Sequence, residues 1–456
     1  MRFDNVKQAL LITSFLLISA MGGCLGENIL SNDIQTVIQE LVDNGYAVGI
    51  VVGVLDSNKT EFYGYGKLSQ NGDQTVDEDT IFEIGSITKV FTTLILADMI
   101  EKGELGLNDP IENFLPVKVP TKNGKRITLE HLATHTSGLP RMPDNFAPEN
   151  WSNPYRDYTV ENMYEFLSSY TLTRDPGTQY EYSNLGMGLL GHVLSLESGM
   201  TFEELVKNRI CDEVGLENTT ISLTPQQQVR LAKGHQVDVE NWDFDALAGA
   251  GALRSSAKDM LMFLSAEMGL KKTKLYPAME NTQTTHFSID ASGGEIGLGW
   301  IIPHVNSEII FHDGMTGGYC SFAGFDKENQ KAVVVLSSIA SVGIVNHVEN
   351  IGLHILDPGI ELKTPKKAVE VDTSVYDDYV GEYEMAPNFI ITISRDGDRL
   401  FARATGQDRF EIFPLSETRY FYMVVDAEIE FLRDEDGQVN ELILYQYGEE
   451  YSAKRA

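Results

Sequence analysis

The apolar positions of residues 34–55 change their period once. Ile34, Val37 and Leu41 recur at helical spacing, and A-V-G-I-V-V-G-V-L at 47–55 then reads as a continuous apolar strand. Polar turns around Asn58 and Gly64 follow, so a β-hairpin is expected. Residues 86–101 predict a helix with Val90, Leu94, Ala97 and Met99 on its apolar face, ending near Gly103. Helical patterns recur at 160–169, 185–199, 202–210 and 257–268. Strand patterns return at 297–303, 308–312, 319–326 and 331–338. The implied architecture is a sheet built from both ends of the segment with a helical insert between them. Past Asp357-Pro358-Gly359 the pattern changes to short strands with a turn every 8–12 residues, at 389–394, 399–404, 409–414, 420–425, 428–433 and 441–447. That spacing predicts a small antiparallel barrel or sandwich.

Length and charge narrow this picture. At 456 residues the chain exceeds one ordinary core, and 42% apolar residues suffice for folding. The expected division is 1–23 signal peptide, 24–33 tether, 34–358 first domain, 359–371 linker and 372–456 β domain. A formal net charge of −32 argues against nucleic acid as a partner, because phosphates would repel it. Arg2 and Lys7 precede an apolar run from Ala9 to Ala20, long enough for a signal-peptide core and short of the ~20 residues of a spanning helix. M-G-G-C at 21–24 then looks like a lipobox, with Cys24 as the lipidated residue; the alternatives are an uncleaved anchor or a simple secreted form. The expected location is therefore secreted or cell-surface, tethered to the outer face of the cytoplasmic membrane. Cys211 and Cys320 read as two buried free thiols, with pairing left open.

G-S-I-T-K-V-F at 85–91 raises the chemistry. Ser86 and Lys89 lie three positions apart, on one face of a helix that starts at Ser86, so an amine can reach a hydroxyl. A serine is a weak nucleophile until a base takes its proton, and a lysine is a base only when burial or nearby cations lower its pKa. The plain alternative is a helix N-cap and a surface lysine. Ser255-Ser256-Ala257-Lys258 repeats the spacing, and there the plain reading is preferred. Y-S-N at 182–184 adds a phenol that can relay a proton and an amide, Asn184, that can hold a substrate amide and help orient Lys89. H-D-G-M-T-G-G-Y at 312–319 adds His312 on a strand and glycines that admit close approach. The Met315 N–H, after Gly314, would join the Ser86 N–H in an oxyanion hole. Each piece alone also fits a cap, a packed ring or a structural histidine.

Taken together, S-x-x-K, Y-x-N and H-x-G in this order resemble the serine β-lactamase and penicillin-binding-protein superfamily in its class C-like branch. The likeness extends to L-N-D-P-I-E-N-F-L-P at 107–116, I-T-L-E-H-L-A-T-H-T-S-G-L-P at 127–140, P-G-T-Q-Y-E-Y-S-N-L-G-M-G-L-L-G at 176–191 and G-A-G-A-L-R-S-S-A-K-D-M at 249–260. It implies an α+β fold: a five-stranded antiparallel sheet flanked by helices, plus a helical subdomain. The segment opening Y-V-G-E-Y-E at 379–384 is similar to the lipocalin-like domain fused to some members. The resemblance implies that Ser86 is the acylated nucleophile, that Lys89 and Tyr182 share base and relay work, that Asn184 contacts the substrate amide, and that His312 and Gly314 line the cleft. Implied substrates are small peptides, D-amino-acid peptides, esters or β-lactams. His312 replaces the lysine of the K-T-G pattern, which puts the grip on a substrate carboxylate in question.

Other readings fare worse. His131 and His135 have the i, i+4 spacing of a zinc helix, but Leu132 stands where H-E-x-x-H needs glutamate. No metal or cofactor is expected, and G-x-S-x-G and the nucleotide-binding fingerprints are absent. A non-catalytic surface peptide-binding protein using the same cleft is the alternative, and a broken motif would mark it; all three motifs keep their residue types. The β domain is expected to shape the cleft mouth or to mediate a homo-oligomer contact.

Overall fold

The computed structural model describes residues 29–234, 240–290, 294–303, 308–339 and 342–456. The apolar run from Ala9 to Ala20 and the cysteine at 24 lie outside the described residues. Among the described residues, no helix is long and apolar enough to cross a membrane.

The first helix, α1 (Asn32–Asp43), buries Ile34, Val37, Ile38 and Leu41, and the Ser31 hydroxyl caps it. The hairpin follows as β1 (Gly49–Asp56) and β2 (Lys59–Gly66). Strands β3 (Ile81–Glu83) and β4 (Arg254–Ser256) pair as a separate ribbon. The main sheet continues with β5 (Phe287–Asp290), β6 (Gly294–Ile296), β7 (Ile301–Ile302), β8 (Ile309–Met315), β9 (Cys320–Asp326) and β10 (Lys331–Ser337). Its order is β2-β1-β10-β9-β8-β7-β6-β5, with antiparallel pairing throughout. The five-stranded sheet expected from sequence is thus present as β2-β1-β10-β9-β8 and is extended by three short strands. Strand 297–303 shortens to Ile301–Ile302 because Gly299 has φ +78° and turns the chain, burying Leu298 and Trp300.

Central strands are apolar on both faces, so alternate residues enter two different cores. In β1, Val51 and Leu55 join the core around α2 (Thr88–Glu101), whereas Ile50, Val52 and Val54 join that of α1 and the Val342–Leu356 helix. In β8, Ile310 faces the α2 side, and Ile309 and Phe311 face the other. The period of two places His312 on the α2 side with Ile310.

α2 departs from the amphipathic helix expected. It is buried on all sides from Thr88 to Met99. Its polar side chains bind the backbone of the loops around it: Thr92 Oγ1 donates to Gly249 O at 2.7 Å, and Thr93 Oγ1 to Leu298 O at 2.8 Å. The helical insert supplies Val160–Ser169, Asn184–Ser198 and Ala257–Glu267 close to their expected ranges, and 202–210 begins as Phe202–Val206 before widening over Lys207–Cys211. Cys211 and Cys320 are free and buried, and burial pushes both thiols up to about 12.

The C-terminal part is a closed eight-stranded barrel, β11 (Gly381–Ala386), β12 (Phe389–Asp396), β13 (Arg399–Ala404), β14 (Phe410–Pro414), β15 (Arg419–Tyr422), β16 (Ala427–Arg433), β17 (Val439–Gln446) and β18 (Glu449–Arg455). Side chains fill its interior, among them Tyr383, Ile393, Leu400, Tyr420, Phe431 and Leu442; Tyr379 stacks on Phe431 at 4.1 Å. Phe421, pointing outward between inward residues, is fully buried against the α1 side of the sheet, and the partly buried Phe413 and Met423 pack beside it. Within one chain the barrel therefore docks on the face opposite α2. No barrel residue lines the Ser86 cleft, so the expected role at the cleft mouth is corrected for the single chain.

Candidate active site

Ser86 lies in a single 3-10 turn, Gly85–Ile87, ahead of α2, rather than in the α-helix itself. The tighter turn still brings the amine to the hydroxyl: Lys89 Nζ donates to Ser86 Oγ at 2.9 Å and to Ala250 O at 2.6 Å. Lys89 is fully buried, and no carboxylate lies within ion-pair distance among the described residues. Burial, with the positive charge of Arg141 second, holds its pKa well below the usual lysine range, against a smaller opposing pull from Asp313.

Burial raises the pKa of the Tyr182 phenol, against a smaller opposing pull from the Ser86 hydroxyl beside it. Its ring centre is 4.9 Å from Lys89 Nζ. The phenol brought from far along the chain therefore meets the alcohol and the amine. His135 explains how. Its carbonyl accepts the Glu181 N–H at 2.8 Å, and its Nδ1 accepts the Ser183 N–H at 3.1 Å, so it brackets Tyr182 from both sides. Its ring lies 4.5 Å from the Tyr182 ring, and its backbone sits at φ +58°, a strained value for a non-glycine residue. Nδ1 as acceptor places the proton on Nε2. His131 Nδ1 likewise accepts a backbone N–H, from Thr128 at 3.2 Å, so both imidazoles of the zinc-like spacing serve local structure.

The third motif lies on β8, next to the nucleophile turn. Gly314 has no room for a side chain: an added Cβ would stand 2.1 Å from Ile84 O and 2.4 Å from Ser321 Oγ. Gly85 is as tight, at φ +50° with its Cβ position 2.7 Å from Met315 N. These two glycines let β8 lie against the nucleophile turn. The Thr316 N–H donates to Tyr319 O across the β8–β9 turn, so the alternation of an antiparallel ladder turns the Met315 N–H away from β9. His312 is buried, its Nδ1 donates to Asp313 O at 2.5 Å, and burial lowers its pKa. Neutral His312 offers no fixed cation.

Asn184 opens the helix after Tyr182 but does not orient Lys89. Its Nδ2 donates to Tyr155 Oη at 3.3 Å, and the Ala250 carbonyl orients the amine instead. The cleft is narrow and is lined by Ser86, Asn184, Ala250, Met315 and an aromatic wall of Tyr155, Trp242 and Phe244. Tyr155 stacks on Phe244 at 4.4 Å. Sequence reasoning missed this wall and Arg141, and it weighed His135 only as a metal ligand, because these residues share no spacing with the motifs. In the decoy, Ser256 caps a helix through the Asp259 N–H and exposed Lys258 pairs with Asp79, which is the plain reading preferred for it.

This geometry agrees with the family comparisons. The Beta-lactamase family model matches residues 34–343, more than half of the chain. The chain belongs to the Beta-lactamase family. It is a serine hydrolase of that family. The barrel, residues 365–455, matches a domain of unknown function, DUF3471. "Penicillin-binding protein 4*" of Bacillus subtilis (strain 168) is 27% identical over 458 residues, covering 92% of this chain and 98% of that one. The "D-alanyl-D-alanine-carboxypeptidase/endopeptidase AmpH" of Escherichia coli (strain K12) is 29% identical over 312 residues, 64% of this chain and 80% of that one. Among solved structures, an octameric penicillin-binding protein homologue from Pyrococcus abyssi shares the fold, with a TM-score of 0.62 and 23% identity over 92% of this chain and 99% of that one.

Proposed function

We propose that this protein is an extracytoplasmic hydrolase that cleaves amide or ester bonds through an acyl-enzyme on Ser86. The observation that carries the reading is the buried amine of Lys89, 2.9 Å from Ser86 Oγ and paired with no carboxylate among the described residues. A lysine held below its usual pKa is a base, and a phenol pushed above its own stays protonated. Lys89 therefore takes the Ser86 proton while Oγ attacks the substrate carbonyl. Tyr182 passes its phenolic proton to the leaving nitrogen or oxygen and is refilled from Lys89. The Ser86 and Met315 N–H groups hold the oxyanion, a contribution of about 3–4 kcal/mol per donor in comparable sites. Asn184 contacts the substrate amide, and His312 and Gly314 form the cleft wall. Water then releases the acyl group by the reverse proton path.

The names of the relatives favour peptides with D-amino acids and β-lactams as substrates, and esters fit the same chemistry. The N-terminal apolar run and Cys24 support export and a lipid tether outside the membrane. The octameric archaeal homologue supports assembly of copies of this chain, and the barrel is the surface proposed for it. Incubation with a fluorophosphonate or penicillin probe, followed by mass mapping, is expected to place the adduct on Ser86. Labelling of another serine, or full turnover in Ser86→Ala, overturns the reading.

A further inference from the structure

Arg141 is a cation beside Tyr182 that the motifs leave out. Its carbonyl accepts the N–H groups of Asn184 at 3.1 Å and Leu185 at 3.2 Å, so the loop is fixed to the helix carrying the second motif. Its side chain is exposed, with Cζ 5.0 Å from the centre of the Tyr182 ring. Nearby Arg174 is paired with Glu181, and Arg156 with Glu240 and Asp243; Arg141 has no ion-pair partner among the described residues. In a chain of net charge −32, an exposed unpaired guanidinium beside the nucleophile stands out. The guanidinium lies 5.0 Å from the ring centre of Tyr182, and its charge is felt at Lys89, Tyr155 and Tyr182.

The remaining basic groups cannot do its work. Lys89 is buried and bound to Ser86 and Ala250, and His312 is buried with burial favouring its neutral form. Asp313 brings the opposite sign. We infer that Arg141 is the anion anchor of the cleft, gripping a substrate carboxylate that the H-x-G strand does not hold. Carboxylate-bearing peptides, esters or lactams are then the preferred substrate class. A guanidinium is permanently charged and presents a planar fork that matches a carboxylate. Held beside the ring of Tyr182, it would meet a carboxylate one or two residues from the carbonyl under attack, at about 3.3–3.6 Å per extended residue. This inference rests on the acyl-enzyme reading above.

The rival is that Arg141 acts only on the Tyr182 phenol, which would affect all substrates alike. The test uses the full chain and a matched pair: the N-acetyl-D-alanyl thioester of thioglycolate, with its free carboxylate, and the methyl ester of the same compound. In Arg141→Gln the ratio of kcat/KM for the acid over the ester is expected to fall about ten- to hundredfold, chiefly through KM for the acid. Arg141→Lys should fall between, since it keeps the charge without the fork. An equal loss on both compounds, or a wild type that does not prefer the acid, overturns the inference. A neutral fluorophosphonate separates the two levels. If it fails to label Ser86 in the wild type, the acyl-enzyme reading falls and takes this inference with it.

Discussion

The chemistry of Ser86 turns on which neighbour is the base, and the two candidates are shifted in opposite directions. Burial disfavours the charged form of each: it lowers the amine of Lys89 and raises the phenol of Tyr182. Only neutral Lys89 can take a proton, and its neutral fraction grows as pH rises. Activity is therefore expected to climb through a pKa well below 10.5 and then to hold level past pH 10, where an ordinary tyrosine would begin to ionise. In Lys89→Met the ascending limb of kcat/KM should vanish and turnover should fall about 10²–10⁴-fold. Survival of the limb in that variant would assign it to another group. S-x-x-K, Y-x-N and H-x-G made the reacting atoms legible in the sequence. The support around them was not: His135 acts through a backbone carbonyl and Nδ1, and Ala250 through a carbonyl, and carbonyls carry no residue signature.

At the scale of elements, legibility followed burial pattern. The hairpin, the Asn184–Ser198 helix and β8 to β10 came through because their apolar runs are long and bounded by turn residues. β11 and β18 did not, because each turns a single fully buried side chain inward, Tyr383 and Ala453 respectively. α2 was read as amphipathic although it has no exposed face, since its threonines bind backbone carbonyls inside the core. The contact of β8 with the nucleophile turn also escaped periodicity, being made by two glycines. Gly314→Ala tests it. The added methyl meets the carbonyl of Ile84, and backbone cannot swing aside as a flexible side chain can. β8 must move off the turn, carrying the Met315 N–H with it. Stability is expected to drop by about 1–3 kcal/mol in denaturant unfolding. Turnover of an ester should fall by up to about 10²–10³-fold, the loss seen when one oxyanion donor is removed. Wild-type turnover in a folded variant would show that this contact does not position the donor.

The molecule as a whole is a sheet with a different partner on each face. One face carries α2 and the cleft; the other carries α1, the Val342–Leu356 helix and the barrel. β15 links the two parts by alternation: Tyr420 points into the barrel and Phe421 points out, into the core of the catalytic domain. Tyr46 Oη donates to Lys366 O, and Lys367 pairs with Glu40 at 2.6 Å, but the exposed ion pair is worth at most about 1 kcal/mol. The apolar contact must therefore carry the docking. Truncating a fully buried phenylalanine costs about 3–5 kcal/mol. Phe421→Ala should cost that much if barrel and catalytic domain melt as one unit, and should instead split the calorimetric transition if they come apart. Ser86 lies on the far face of the sheet, so its rate of labelling at 25 °C should match that of the wild type in either case. A single unshifted transition would show that Phe421 does not hold the two parts together. A fall in labelling without loss of stability would mean that the barrel reaches the cleft after all, which in this geometry requires a second copy of the chain.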